Sequence, residues 1–381
     1  MNRYRQQLRP VWVEIDLEAV RHNLGEVRRL VGPRVEIMAV VKAEAYGHGA
    51  VEVAKTALDA GAAWLGVAFP EEGIALRKAG ITAPILVFGP LQTNQVQAAP
   101  QYELTMTVCL LEPILALSRA AVKLGKTARV HLKIDTGMGR VGVNYQDAFR
   151  FMRHISGLPG IEVSGVYSHL ATADQADKEF AGVQIKRFTE AVAQLKTQGL
   201  LPEKVHLANS AAVIDLPGSY FNLVRPGIML YGLYPSPEVD YRERVSLRPV
   251  FSLKARTIFV KRVPAGVGIS YGLKYQTKKE TTIATIPIGY ADGWSRLLLN
   301  KAEVLIGGRK FPIVGAICMD QCMVDVGDAP VEVGQEAVLI GNQGEGTITA
   351  DQIASQLGTI NYEVTCMIGD RVPRVYRRDE K

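Results

Sequence analysis

No run of this chain is apolar enough to cross a bilayer, and no low-complexity tract or short-period repeat interrupts it. That sets aside a membrane-spanning protein. Nor is there a block of like charge. The net charge of +6 and pI of about 9.0 come from scattered Lys and Arg, which fits a solvated surface plus an anionic ligand better than a nucleic-acid groove. The four cysteines (Cys109, Cys318, Cys322, Cys366) have no C-x-x-C spacing, and the six histidines are dispersed. Neither set gives a metal signature, and reduced thiols in the cytoplasm are expected. The start of the chain is polar and is not followed by an apolar signal region, which agrees with a cytoplasmic location.

What is present is a chain of 381 residues, 48% hydrophobic and 22% charged, long enough for two domains. Short apolar, strand-like runs recur at 37–42, 64–69, 84–89, 104–108, 128–135, 163–170, 204–210 and 222–232. Amphipathic helical stretches such as 17–30, 71–78, 112–123 and 178–197 lie between them. Alternation of this kind demands a parallel sheet, and eight repeats predict a closed (β/α)₈ TIM-type barrel over 15–244. An open doubly wound sheet is the alternative, but no G-x-G-x-x-G follows the first strand. Beyond residue 245 the pattern turns to β-rich runs punctuated by Gly and Pro, with one short helix at 349–357. This predicts a C-terminal β-domain over 245–381, to which the segment 1–14 could lend a strand.

The chemistry concentrates where barrel strands end. Lys42 closes the first, buried run, with Tyr46 in the loop behind it. A poorly solvated lysine has a lowered pKa, and its neutral amine can form a Schiff base. The fifth run ends on Lys133 and Asp135, with Arg140 just past Gly137-Met138-Gly139. His169 ends the sixth, Asn209 and Ser210 the seventh, and Arg225, Gly227 and Ile228 lie in the eighth. The loops after strands seven and eight are the usual phosphate site of such barrels. Taken singly, these residues read as a core histidine, an ion-pair arginine and a helix cap. Together they offer an amine nucleophile and a phosphate cradle at one rim, the pair that pyridoxal 5′-phosphate requires.

The chain resembles the bacterial alanine racemase family over essentially its whole length. The resemblance rests on Val41-Lys42-Ala43-x-Ala45-Tyr46-Gly47-His48-Gly49, Lys133-x-Asp135-Thr136-Gly137-Met138-Gly139-Arg140, His206-x-Ala208-Asn209-Ser210 and Arg225-x-Gly227-Ile228. In the second domain it rests on Ser270-Tyr271-Gly272, Gly289-Tyr290-Ala291-Asp292-Gly293, Cys318-Met319-Asp320-Gln321 and Asn361-Tyr362-Glu363. The resemblance implies a pyridoxal-phosphate enzyme interconverting L- and D-alanine for peptidoglycan. Lys42 carries the cofactor and is one base, and Tyr271 is the second base on the opposite face of Cα. A free phenol loses its proton only near pH ~10, so such a tyrosine needs cationic surroundings, for which His169 and Arg225 are the candidates. Arg225 faces the ring nitrogen. Tyr46, Ser210, Gly227, Ile228 and Tyr362 contact the phosphate, and Arg140, His169 and Asn209 complete the cofactor site. Arg140 and the main chain of Met319 hold the substrate carboxylate, while Tyr290 and Tyr362 narrow the access. Lys133 matches a lysine often carried as a carbamate, and no metal is implied. The family's dimers share sites between chains, so a homodimer is expected. Two features depart from the pattern. Glu44 stands where Asp or Asn is commoner, and Pro226 removes one N–H from the phosphate loop. A decarboxylase of the same build, a non-catalytic carrier resembling the barrel alone, and a racemase for serine or another small amino acid are the rival readings.

Overall fold

The computed structural model describes residues 8–378, and it divides into two compact units. The expected strand contribution from 1–7 lies outside the described residues. One unit comprises 19–45 and 49–248; the other comprises the described residues up to Glu18, Tyr46–His48 and Pro249 onward.

The larger unit is a barrel of eight parallel strands: Glu36–Val40, Trp64–Val67, Ile85–Pro90, Thr105–Val108, Ala128–Asp135, Ile161–Tyr167, Lys204–His206 and Leu223–Val224. The last pairs in parallel with the first, and Arg225 N–H to Ala208 O (3.0 Å) and Asn222 N–H to Val205 O (3.3 Å) close the ring. Helices such as Ala50–Asp59, Pro70–Lys78, Leu111–Lys123 and Glu179–Thr197 provide the crossovers. Met38, Trp64, Leu86, Tyr167 and Leu223 form one buried cluster. By two-residue alternation, Met38, Val40 and Lys42 share a strand face, as do Leu223 and Arg225. The functional side chains therefore continue the register of that cluster toward the C-terminal ends of the strands.

All eight expected barrel strands are present, but several stop earlier than their apolar patterns. The seventh ends at His206 because Asn209 Oδ1 accepts the Ala212 N–H (3.1 Å) and starts the helix Ser210–Asp215. The eighth ends at Val224, where Pro226 cannot donate to a ladder and the chain turns into the 3₁₀ helix Ile228–Tyr231.

In the second unit a sheet of ten strands runs from Phe259–Val263 through Thr281–Ile286, Cys322–Gly327, Arg309–Val314, Glu303–Ile306, Glu336–Gln343 and Phe251–Arg256 to Val11–Asp16 and Arg374–Arg377. Gly346–Ile348 pairs beside Glu336–Gln343. Val11–Asp16 lies antiparallel to Phe251–Arg256 and parallel to Arg374–Arg377, so the N-terminal strand belongs to this sheet. The first β-rich run beyond residue 245 is two strands, Phe251–Arg256 and Phe259–Val263, broken at Thr257. The helix Asn361–Met367, which carries Tyr362, had no clear sequence signal. Among the described residues no helix is long and apolar enough to cross a membrane.

Candidate active site

Lys42 comes two residues after the strand Glu36–Val40; residues 37–41 are almost fully buried, and the Val41 N–H still bonds to Gly66 O (2.8 Å). The chain then leaves by an unusual route. Ala43, Glu44, Ala45 and Tyr46 have φ of 52°, 52°, 54° and 56°, a left-handed turn made without glycine. Each such residue costs about 1–2 kcal/mol over the right-handed form, so the turn persists only because its surroundings fix it. Glu72 accepts the Ala43 N–H (2.7 Å), and Glu44 O accepts the Gly49 N–H (2.7 Å). The departure at Glu44 has a local use. Its carboxylate accepts the Ala50 N–H (3.2 Å) at the start of a helix whose cap, Gly49, has no side chain to offer.

Four basic side chains, Lys42, Lys133, Arg140 and Arg225, act together at this rim. His169 is held well below the ordinary histidine range by burial first, then by Lys133, Arg225, Arg140 and Lys42. These surroundings disfavour a charge on His169, so hydrogen bonding is the part it can play beside Arg225. Lys133 is 7% exposed, and its ammonium lies 4.4 Å from the Tyr167 ring centre. Burial, then Arg225 and Arg140, push its pKa well down against the opposing pull of Asp135. The Asp135 carboxylate is occupied by the N–H groups of Gly137, Met138 and Gly139 at 2.9–3.2 Å, which shapes the loop leading to Arg140.

Arg225 is 3% exposed and, among the described residues, makes no ion pair. It donates to Ser168 O (2.7 Å), Leu207 O (2.9 Å) and His206 Nδ1 (2.9 Å), with His169 Nδ1 at 3.3 Å. Burial lowers its pKa to about 10, so it stays protonated. Its donation fixes the next two proton positions. His206 carries its hydrogen on Nε2 and gives it to His131 Nδ1 (2.9 Å). Burial, then nearby cations, holds both histidines neutral. His206 stacks on Tyr167 with ring centres 4.7 Å apart, and Gly165 leaves room for His131, whose ring would lie 2.5 Å from an added Cβ.

Beside Arg225, Ser210 Oγ accepts the Gly227 N–H (2.8 Å) and the Met229 N–H (3.4 Å). The N–H groups of Ile228 and of Ser210, which open short helical turns, have no acceptor among the described residues. Backbone donors with no acceptor among the described residues, beside the buried Arg225 guanidinium, fit a phosphate, and the Nε–H of Arg225, also without an acceptor among the described residues, fits a ring nitrogen. Lys42, Lys133, Arg140, His169, Asn209, Ser210, Arg225, Gly227 and Ile228 thus all belong to one rim of the barrel unit.

The other site residues belong to the second unit. Tyr46 and Tyr362 have ring centres 6.1 Å apart, and burial pushes the Tyr46 phenol up, so it stays protonated. Tyr271 lies in the loop of the small hairpin Gly268–Ile269/Tyr275–Gln276 and is 73% exposed. Ser270 Oγ bonds to Ala316 O (2.6 Å), tying that loop to the Cys318 turn. The N–H groups of Tyr290 and Ala291 bond to Cys318 O and Met319 O (both 3.0 Å), and Gly289 admits this approach because an added Cβ would lie 2.2 Å from Cys318 O. Tyr271, Tyr290 and Met319 therefore sit on hydrogen-bonded neighbouring loops. Sequence reasoning missed what locks those loops. Asp292, fully buried, accepts two bonds from Arg9 (2.7 and 2.5 Å) and one from Gly289 N–H (3.0 Å); Arg371 adds a contact at 3.6 Å and binds Asp320 (2.6 Å).

Burial alone would raise the Asp292 carboxyl, but Arg9, the Gly289 N–H and Arg371 outweigh it and hold the pKa below the usual carboxylate range. A depressed folded-state pKa gives stability that is complete above the unfolded value of ~3.9 and is lost as the pH falls through the folded value. Arg9→Ala is expected to cost about 3 kcal/mol near neutral pH by leaving a buried carboxylate poorly paired. Calorimetric melting should show that difference shrinking below pH ~4; equal melting temperatures at pH 7 would contradict it.

A barrel that gathers a strand-end lysine, Lys133, Arg140 and Arg225 around His169, beside backbone donors that have no acceptor among the described residues, accompanied by a β-domain presenting tyrosines on exposed loops, defines a pyridoxal-phosphate enzyme of the barrel type. Residues 15–235 match the family model "Alanine racemase, N-terminal domain", and 250–376 match "Alanine racemase, C-terminal domain". The alanine racemase of Desulforamulus reducens is 48% identical over 369 residues, covering 96% of this chain and 99% of that protein. The structure of alanine racemase from Clostridium difficile 630 superposes with a TM-score of 0.92 at 44% identity, covering 97% and 96% of the two chains. A histidine racemase from Leuconostoc mesenteroides shares the fold at 29% identity and a TM-score of 0.91, covering 98% of this chain and all of that one. The chain belongs to the alanine racemase family, whose members are pyridoxal-phosphate-dependent isomerases.

Proposed function

We propose that this chain interconverts L- and D-alanine with two bases, Lys42, which also holds pyridoxal 5′-phosphate, and Tyr271. The observation that carries the reading is Arg225, a buried guanidinium without a carboxylate partner among the described residues, grouped with Lys42, Lys133 and Arg140. Such a rim calls for a phosphate and a substrate carboxylate. When bound, the cofactor draws off the electron pair left on Cα as its proton departs.

The remaining work falls to the chain's own groups. Ser210, Gly227, Ile228, Tyr46 and Tyr362 hold the phosphate, with Asn209 capping the Ser210 helix. Arg225 donates to the ring nitrogen but cannot give up its proton, so that nitrogen stays unprotonated and electron withdrawal stays weak. Held this way, Arg225 would favour return of the proton to Cα. His169, neutral, is a hydrogen-bonding neighbour of Arg225. Lys42 takes or returns the proton on one face of Cα and Tyr271 on the other, because a single base would return it to the face it left. Arg140 and the main chain of Met319 bind the carboxylate, and Tyr290 and Tyr362 limit the side chain to a small group. The lowered pKa of Lys133 supplies the neutral amine that a carbamate needs, and a carbamate beside Arg140 would replace repulsion with attraction.

Tyr271 is 73% and Leu273 67% exposed within this protomer. An exposed base on an exposed apolar loop is best employed in a site of a second copy, so the working form is a homodimer that shares its sites. The setting is cytoplasmic, and the product D-alanine supplies peptidoglycan.

The test is conversion of L-alanine by the purified, cofactor-loaded protein, followed by optical rotation, with Lys42→Ala as control. Racemisation in both directions is expected. Unchanged rotation would favour a cofactor carrier, and carbon dioxide release from basic amino acids would favour a decarboxylase.

A further inference from the structure

Glu72 lies outside the roles assigned above, yet it touches the one strained segment of the barrel rim. It stands in the first turn of the helix Pro70–Lys78, where an acidic residue is common. Its bonds are less ordinary. One carboxylate oxygen accepts the N–H groups of Ala68 (2.6 Å) and Phe69 (3.2 Å), which fixes the side chain at the end of the second barrel strand. The other accepts the N–H of Ala43 (2.7 Å), the first residue of the left-handed turn and the one that follows Lys42. Among the described residues Glu72 makes no ion pair, so both oxygens are engaged by backbone donors from two neighbouring strand ends.

We propose that Glu72 is a positioning residue for Lys42: its carboxylate, fixed by Ala68 and Phe69, pins the peptide plane between Lys42 and Ala43 from which the left-handed turn starts, and thereby sets the direction in which the Lys42 side chain leaves its strand. The proposal rests on Lys42 as the cofactor-bearing residue. Alanine at φ 52° has no preference of its own for that region, and the Ala43 N–H held by the carboxylate lies in the peptide plane shared with Lys42, so that plane is fixed where the turn begins. The neutral isostere cannot substitute, because an amide presents an acceptor on one side only and would set its NH₂ against a backbone N–H on the other.

The experiment compares Glu72→Gln, Ala43→Gly and the double variant. Glycine enters the left-handed region freely, so Ala43→Gly lets the turn form at little cost and lessens the need for the restraint from Glu72. For Glu72→Gln the cofactor dissociation constant is expected to rise, and kcat to fall, each about tenfold, the loss of one charge-assisted bond, with the KM for alanine little changed. Amide exchange at Ala43 is expected to quicken by a similar factor in the cofactor-free protein. In the Ala43→Gly background the penalty should shrink to about twofold.

Cofactor affinity and exchange indistinguishable from wild type in Glu72→Gln would overturn the proposal. So would a penalty equally large in the Ala43→Gly background and matched by a drop in melting temperature, the mark of a helix cap alone. If Glu72→Gln does not fold, Ala43→Val serves instead. It leaves Glu72 intact, lies at an exposed position, and disfavours the left-handed form, so wild-type cofactor affinity in that variant would equally refute the idea. Lys42→Ala run in parallel separates the two levels. Retention of the wild-type visible band there removes the reading of Lys42 itself, whereas its loss beside a normal Glu72→Gln removes only the role of Glu72.

Discussion

Lys42→Ala is expected to lower racemisation by roughly 10⁴-fold or more, the largest single effect available in this chain. Removing the amine takes away both the covalent hold on the cofactor and one of two proton-transfer groups, and each of these alone is worth about 10²-fold or more. The protein itself should survive. Lys42 lies at the rim, partly exposed, and its methylenes contribute little to the core, so melting within a few degrees of wild type is expected. Chiral chromatography of alanine incubated with the variant measures the rate, and the visible spectrum reports loss of the lysine-linked band. A variant that stays coloured and racemises within a hundredfold of wild type would place the amine elsewhere. Lys133 would be the first residue to examine, since it is buried with a lowered pKa.

The barrel was legible because each strand is a short apolar run, and a fully buried parallel strand has no other way to be written. The overruns have a physical cause. Leu207 and Ala208 are as apolar as any strand residue, and only the Asn209 side chain, bonding to Ala212, tells the chain to turn. The rim residues were legible as types at strand ends. Their electrostatics were not, because the absence of a carboxylate near Arg225 is a property of packing. The left-handed turn was invisible for a different reason. Ala-Glu-Ala is a good helix-forming sequence, and propensity carries no information about hand. Glu72 is 29 residues from Ala43, and Arg9 is 283 from Asp292. Pairings at such separations leave no local trace, so the devices that hold the site in place emerged only with the fold.

Tyr271→Phe should separate the two halves of the reaction. The ring remains and only the hydroxyl goes, so the exposed hairpin loop keeps its shape and stability should hardly move. Racemisation is expected to fall by about 10²–10⁴-fold, the usual worth of a positioned proton-transfer group. Exchange of the α-proton with deuterated solvent should nevertheless continue for one enantiomer, because Lys42 still serves its own face; a one-base racemase would lose or keep both together. The same variant decides whether the base comes from a second chain. Each of Lys42→Ala and Tyr271→Phe should be nearly inactive as a homodimer. If subunits are exchanged at random, half the dimers are mixed and half the sites in those are intact, so activity should return to roughly a quarter of wild type. No recovery after demonstrated exchange would mean that Tyr271 serves its own chain. Exchange of both enantiomers at wild-type rates in Tyr271→Phe would remove it from the mechanism altogether and leave the face opposite Lys42 to another group.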